Sequence, residues 1–316
     1  MPHSPTRPGP IRLGLVGLGK IARDQHLPAI TANSGFDLAA VADPVHRIDG
    51  VRGYAGLAEM VAGEAGRLDA VALCTPPSVR VPLARQAIAA GLDVLLEKPP
   101  AAAPTQAEAL ARLAARAGVT LYAAWHSRES EVVEAARAWL ATRNIRSVHI
   151  AWRENVRQWH PGQDWLLAKG GFGVFDPAIN AFSILTEILP AGICVEGADL
   201  VVPANRQSPT DAQVRMRCST GAPITADLSI LQPGHQQWDI VVETDDGDLV
   251  LREGGHRLEI GGTLRQESGN DEYPRIYRRF ADLIARRASD ADASPLALVA
   301  DALLLGAVTA GPDFEF

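Results

Sequence analysis

Cysteine is scarce in this chain, with three in 316 residues (Cys74, Cys194 and Cys218). They stand far apart, with no Cys-x-x-Cys pair to hold zinc and no even set to frame disulfides, which points to a reducing, cytoplasmic setting. Lysine is scarcer than the charge balance demands. Of 30 basic residues only Lys20, Lys98 and Lys169 are lysine, and arginine serves wherever surface charge is wanted. No uncharged apolar run reaches the ~20 residues that span a bilayer, because Asp176, Glu187 and Asp301 interrupt the most hydrophobic stretches. No membrane partner is expected. The net charge is -7 and the basic residues form no stripe, so a nucleic-acid partner is not expected either. The eight histidines do not cluster at ligand spacing and there is no HExxH, which argues against a metal. A Walker loop, a GxSxG elbow and the Tyr-x-x-x-Lys pair of short-chain reductases are also missing.

What is present is a chain of 47% hydrophobic and 21% charged residues. It is too apolar to stay disordered and too long for one typical core. Two domains are expected, residues 1–128 and 129–316, after a short disordered tail from Met1 to Pro10. From Ile11 to Ala124, short aliphatic runs alternate with Ala- and Leu-rich segments of helical period, as βαβ units do. The strands are predicted at Ile11–Val16, Phe36–Ala42, Ala70–Cys74, Asp93–Leu96 and Val119–Ala124, in a parallel sheet. Ser78 is expected to cap the helix that ends at Gly91, and Thr105 with Glu108 to form a capping box. Beyond Ile145, runs such as Ser147–Trp152, Gln213–Arg217, Thr225–Leu231, Asp239–Thr244 and Leu249–Arg252 read as strands. Thr220-Gly221, Asp246-Gly247 and Gly254-Gly255 separate several of them, so the second domain is predicted to be an antiparallel sheet. Two helices, Pro274–Arg287 and Leu296–Thr309, should close it. An open sheet with one apolar face needs a cover.

Directly after the first strand stands Gly17-Leu18-Gly19-Lys20-Ile21-Ala22, a GxGxxA pattern opening a helix. Gly17 allows the sharp turn, Gly19 lets backbone approach a pyrophosphate, and Ala22 permits close packing of helix on sheet, while the helix start offers N–H groups to the anion. Alone the pattern is weak, but in a βαβ unit it reads as a dinucleotide site. Asp43, ending the second strand, can accept both ribose hydroxyls of NAD and repel the 2′-phosphate of NADP. Arg47 and Arg52 nearby leave NADP as the alternative, since either can pair with that phosphate. Thr75 and Pro76 close another strand at the carboxyl edge of the sheet, where ligands bind.

Lys98 lies in Glu97-Lys98-Pro99-Pro100 at the same edge, where a flexible amine can exchange a proton with a substrate hydroxyl. The Lys-Pro bond is one of the few at which a cis peptide costs little. Asp176 and Asn180, four apart, would share one helix face. The plainer role for Asp176 is a helix cap. Six of seventeen aromatics are tryptophan, and flat aromatic faces cover the C–H surfaces of sugars; simple core packing is the commoner fate of tryptophan.

The GxGxxA loop, the Thr75-Pro76-Pro77 turn, the Glu97-Lys98-Pro99 segment and the run from Gly170 to Asn180 together resemble the glucose-fructose oxidoreductase and inositol dehydrogenase (Gfo/Idh/MocA) family over nearly the whole chain. The segments LGLVGLGKIARDQHLPAI, WHSRE, WHPGQDW, GVFDPAIN and EYPRIYRRFADLIA look most like its bacterial aldose 1-dehydrogenases, which oxidise D-galactose or L-arabinose at C1 to a lactone. The resemblance implies an α/β fold, with an N-terminal Rossmann domain and a C-terminal α+β domain built on a large, mostly antiparallel open-faced sheet. It implies NAD(P), a small sugar substrate and a homodimer formed through that sheet. Lys98 would transfer the proton, with Asp176 and Asn180 lining the other side of the reacting carbon. The cofactor contacts would be Gly17, Gly19, Lys20, Ile21, Ala22, Asp43, Thr75, Pro76, Glu97, Lys98 and Trp165. His126, Trp159 and Trp238 would touch the sugar, and His160 and Glu154 would serve as structural hydrogen-bond partners. Asn180 departs from the family, many of whose members carry histidine there; an amide cannot take up a proton as imidazole does. Ala178 departs from a more usual glycine. A dehydrogenase for another sugar or polyol such as inositol, and a dinucleotide sensor without chemistry, are the rival readings.

Overall fold

The computed structural model describes residues 9–189, 192–269 and 271–316. Most of the expected tail, residues 1–8, lies outside them. The chain divides into two compact units, one running to His126 and resuming at Glu272–Ala293, the other comprising Ser127–Asp271 and Ser294–Phe316.

The first unit is a six-stranded parallel sheet of β1 (Ile11–Val16), β2 (Phe36–Ala42), β3 (Arg52–Tyr54), β4 (Ala70–Leu73), β5 (Asp93–Glu97) and β6 (Leu121–Ala124), in the order β3-β2-β1-β4-β5-β6. The chain reverses direction across the sheet between β1 and β4, and that switch leaves a crevice at the carboxyl edge. Alternate residues serve two cores. Leu13, Leu15, Val41, Ala70, Ala72 and Leu95 face one side, whereas Val16, Val71, Leu73, Val94 and Leu96 face the other. Both helices expected to carry polar caps start differently. Pro77–Ala89 and Pro104–Ala117 begin on proline after Pro76 and Ala103, with no side-chain cap bond. A proline in the first turn lacks only an N–H that no helix would use there.

The first face is covered by a segment assigned from the sequence to the second domain. The Glu272–Arg286 helix buries Tyr273, Ile276, Tyr277, Phe280 and Leu283, spaced as one amphipathic stripe, against Leu13, Leu15 and Val41. The expected domain limits of 1–128 and 129–316 are corrected accordingly. The polar loop that follows also belongs here. Asp290 bridges to Tyr122 and takes the Ala123 N–H at 2.8 Å, blunting the outer edge of β6.

The second unit is a nine-stranded sheet of β7 (Ile145–Arg153), β8 (Ile193–Pro203), β9 (Asp211–Cys218), β10 (Pro223–Ser229), β11 (Gln237–Thr244), β12 (Gly247–Arg252), β13 (Arg257–Ile260), β14 (Thr263–Glu267) and β15 (Gly306–Gly311). Their order is β14-β13-β12-β11-β7-β10-β9-β8-β15. It is antiparallel except at β10–β7 and β15–β8. The expected last helix stops at Leu305, and Gly306–Gly311 turns into β15. The apolar face does not wait for a partner: helices Glu131–Leu140, Phe175–Ile188 and Ser294–Leu305 pack on it. The opposite face is polar, with Arg215 paired to Asp199 at 2.5 Å and Arg217 to Glu196 at 2.5 Å.

Candidate active site

At the switch point, Gly17 has φ +88°, and a Cβ there would lie 3.1 Å from Thr75 Cγ2 and 3.2 Å from the Cys74 carbonyl carbon. Glycine is therefore required for β1 to turn beside β4. A Cβ on Gly19 would face open space, so backbone there can be approached closely. Thr75 Oγ1, at the same crossing, is buried without a hydrogen-bond partner among the described residues. These features fit a dinucleotide phosphate held by the Gly17 loop and Thr75. Ala22 is fully buried, a packing residue, whereas Ile21 is exposed and Lys20 reaches outward to Asp24. Pro76 is exposed at the start of the next helix.

Asp43 braces this loop. Its Oδ2 accepts the Leu18 N–H at 2.8 Å, and Oδ1 accepts Val45 N–H at 2.9 Å and His46 N–H at 2.8 Å. Burial works against its charge, but the His46, Leu18 and Val45 amides outweigh that and lower its pKa. With roughly four acceptor positions on a carboxylate, one remains for a ribose hydroxyl, where the sequence assigned it both. Arg52 is committed to Glu64 at 2.8 Å. Arg47 folds over the loop onto the Asp43 carbonyl at 2.6 Å, so of the two arginines it is the one held at Asp43.

Lys98 follows β5, and its bond to Pro99 is cis. Its backbone N–H donates to Glu97 Oε2 at 2.8 Å. Arg80, 3% exposed, donates to the carbonyls of Thr75, Glu97 and Pro99. One guanidinium thus ties the Thr75 turn to the Lys98 turn. The Glu97 side chain is turned inward, where Oε1 accepts from Tyr273 Oη at 2.6 Å and meets His26 Nε2 at 3.0 Å. Both oxygens of the Glu97 carboxylate, from which a cofactor contact was expected, are thus engaged within the protein. His126, just past β6, pairs through Nδ1 with Glu272 at 2.7 Å and stacks on Tyr273 at 5.7 Å. Burial disfavours its protonation, but Glu272 and Glu97 prevail and raise its pKa.

In the second unit, the Gly170–Gly173 run feeds the Phe175–Ile188 helix. Gly173 has φ +53°, and a Cβ would sit 2.2 Å from the Pro209 carbonyl oxygen. Asp176 is 5% exposed. It does not cap the helix, whose N-cap is Val174, and it lies 3.7 Å from His160 Nε2. Asn180, one turn on, is half-buried. Trp159 and Trp238 meet edge to face at 6.0 Å. Their indole N–H groups donate to Gln236 Oε1 at 2.7 Å and Glu154 Oε2 at 3.0 Å, which leaves ring faces for a ligand. Trp165 donates to Gln163 Oε1 at 3.1 Å, the atom that also meets His160 Nδ1 at 3.3 Å. Gln163 and Gln236 are organisers the sequence did not single out; their only signal is adjacency to the tryptophan segments. His26, Glu272 and Tyr273 fall inside segments that carry the family resemblance, but their roles gave no signal, since each acts on a residue far away in sequence; Arg80 reaches carbonyls 5 to 19 residues away and stands in no motif.

A glycine loop at a Rossmann switch point, with a lysine turn two strands away, defines a nicotinamide-dependent oxidoreductase. A profile described as oxidoreductase family, NAD-binding Rossmann fold, matches residues 11–125. The chain is 44% identical over 299 residues to a galactose 1-dehydrogenase of Pseudomonas fluorescens, covering 94% of this chain and 96% of that one. It belongs to the Gfo/Idh/MocA family. Among solved structures, the D-galactose-1-dehydrogenase of Rhizobium etli matches with 46% identity and a TM-score of 0.94, covering 99% and 100% of the two chains. A 3-ketoreductase of Actinomadura kijaniata, KijD10, solved with NADP, shares the fold at 19% identity and a TM-score of 0.84, over 96% and 100%. The cofactor is NAD(P), the nucleotide of this Rossmann family, and the Gly17 loop fits it. Among the described residues, no helix is long and apolar enough to cross a membrane.

Proposed function

We propose that this enzyme oxidises an aldose of the D-galactose or L-arabinose type at C1 to the lactone, with NAD preferred. One observation carries the reading: the likeness to galactose 1-dehydrogenases runs over nearly all of both chains, so the unit holding Lys98 and the unit holding Asp176 both fall within it. The nicotinamide, when bound, supplies the hydride acceptor. Lys98 takes the proton of the C1 hydroxyl. Asn180 can orient a hydroxyl but cannot take its proton, so base duty rests on the lysine. Asp176, Asn180 and His126 bind hydroxyls of the sugar, Trp159 and Trp238 cover its C–H surfaces, and Trp165 braces the cofactor. A panel of galactose, arabinose, fucose, xylose and inositol with both cofactors tests this. Turnover of galactose or arabinose supports it, and turnover of inositol alone, or of none, overturns it. Lys98→Met should cost about 10²–10⁴-fold in kcat while NADH still binds; near-normal turnover would retire Lys98 as the base.

The reading includes a homodimer and a cytoplasmic location. Supporting the first, β15 is an edge strand of its sheet, beside exposed Leu304, Leu305 and Val308. Light scattering at about twice 33.6 kDa supports it, and the monomer mass overturns it. Supporting the second, Cys74, Cys194 and Cys218 are free thiols.

A further inference from the structure

Behind the Lys98 turn lies a polar cluster that the chemistry above does not use. His26 and Tyr277 are fully buried, and Glu97 and Tyr273 are each 3% exposed. They come from three distant stretches: the helix after the glycine loop, the end of β5, and the Glu272–Arg286 helix. His26 Nε2 lies 3.0 Å from Glu97 Oε1, and His26 Nδ1 lies 2.8 Å from Tyr277 Oη. Tyr273 Oη donates to the same Glu97 oxygen at 2.6 Å. Its ring also meets the His26 ring edge-on at 4.9 Å. The second carboxylate oxygen accepts the Lys98 backbone N–H at 2.8 Å.

Burial pushes the Glu97 carboxyl up, but His26, His126 and Tyr273 override it and hold its pKa at about 2. For His26, burial opposes protonation while Cys74, Tyr277 and Glu97 raise its pKa. Apolar residues of like volume often stabilise a core as well as a buried ion pair does. Stability alone therefore does not explain an ion pair and two tyrosine hydroxyls at this point. What the cluster does accomplish is geometric. One oxygen of Glu97 is pinned by two donors from other elements, so the other has a fixed place from which to hold the residue that follows.

We propose that His26 and Tyr273 are positioning residues for Lys98, clamping Glu97 so that its free oxygen anchors the Lys98 N–H and sets the direction in which the amine leaves β5. Lys98 is the base of the reaction proposed above, and this inference deepens that reading. The Glu272–Arg286 helix thereby becomes part of the machinery, although none of its residues is assigned to the ligands.

The scarcity of lysine supplies a direct probe. Full-length protein labelled with [13Cε]lysine should give three lysine cross-peaks, which Lys20→Arg and Lys169→Arg assign. Tyr273→Phe removes one hydroxyl from the clamp and keeps the ring, so it is the variant least able to disturb folding; His26→Gln is the stronger perturbation. In both, the Lys98 cross-peak is expected to move while those of Lys20 and Lys169 stay, with kcat down about tenfold or more and the NADH Kd within about twofold. Tyr273→Phe combined with Glu97→Gln should cost no more than Glu97→Gln alone, because both act through one carboxylate. An unmoved Lys98 cross-peak in Tyr273→Phe overturns the inference whatever happens to kcat. Should Lys98→Met retain turnover, the base assignment falls, and the cross-peak still decides whether Tyr273 positions Lys98.

Discussion

Replacing Arg80 by methionine asks how firmly the Lys98 turn is held, and the structure sets the scale of the answer. Arg80 is 3% exposed in the first turn of the Pro77–Ala89 helix and serves the carbonyls of Thr75, Glu97 and Pro99. Methionine keeps much of the volume and removes every donor. A buried acceptor stripped of its partner costs about 1–3 kcal/mol, so three would cost about 3–9 kcal/mol if nothing offset them. Two things do. A carbonyl has a second lone pair, and removing a buried cation returns several kcal/mol of desolvation. The net expected is about 2–4 kcal/mol, which in a unit of this size lowers Tm by roughly 5–15 °C. Calorimetry on the wild type, Arg80→Met and Arg80→Lys reads it. Lysine keeps the charge but is a single point of donation, and it cannot span three carbonyls as a planar fork does; it should fall between the other two. A Tm for Arg80→Met within about 1 °C of wild type would refute the idea that this guanidinium joins the two turns.

Glu97 gives a pH dependence of definite sign. Its folded pKa is depressed from 4.5 to about 2, so its stabilisation is complete above pH 4.5 and is lost as pH falls through 2, about 3 kcal/mol in all. In urea titrations from neutral pH downward, Glu97→Gln should lose less stability than wild type in that window; parallel curves would show that the carboxylate is not held by charge. Asp43→Asn keeps one acceptor oxygen but cannot accept from both sides of the loop, so NADH affinity should drop about tenfold while NADPH binding falls less. Fluorescence titration with the two nucleotides checks it, and an equal loss for both would remove Asp43 as the discriminator.

Much of the first unit was legible in the sequence because a strand buried on both faces writes itself as an aliphatic run. β1 and β2 fall where the pattern puts them, and the Gly17 loop follows from spacing alone. β3 escaped notice, being three residues, Arg-Gly-Tyr, with no apolar face to show. The Glu272–Arg286 helix was readable as a helix and misread as to place. An amphipathic stripe records that a face is buried, not which sheet buries it. β15 was hidden differently: Gly306–Gly311 continues the small, apolar texture of the helix before it, and only pairing with β8 makes it a strand. Among site residues, Lys98 stood out through scarcity and position. The partners of Glu97 did not, since His26 and Tyr273 lie 71 and 176 residues from it in sequence.

That separation says something about how the site is built. The residues up to His126 contain the glycine loop, Asp43, Thr75 and Lys98, yet they do not contain a complete core. One face of their sheet is closed by Tyr273, Ile276, Tyr277 and Phe280, and the carboxylate behind Lys98 is satisfied by one of those same tyrosines. The apolar positions of that helix cover the sheet while its two hydroxyls reach Glu97 and His26. Tyrosine suits this double duty because a ring and a polar tip can be buried together when the tip finds a partner. Phenylalanine would serve the core equally and leave Glu97 short of a donor. The choice of tyrosine at 273 and 277, within a stripe that Phe280 continues, is thus the point at which packing and chemistry are distinguishable in this fold.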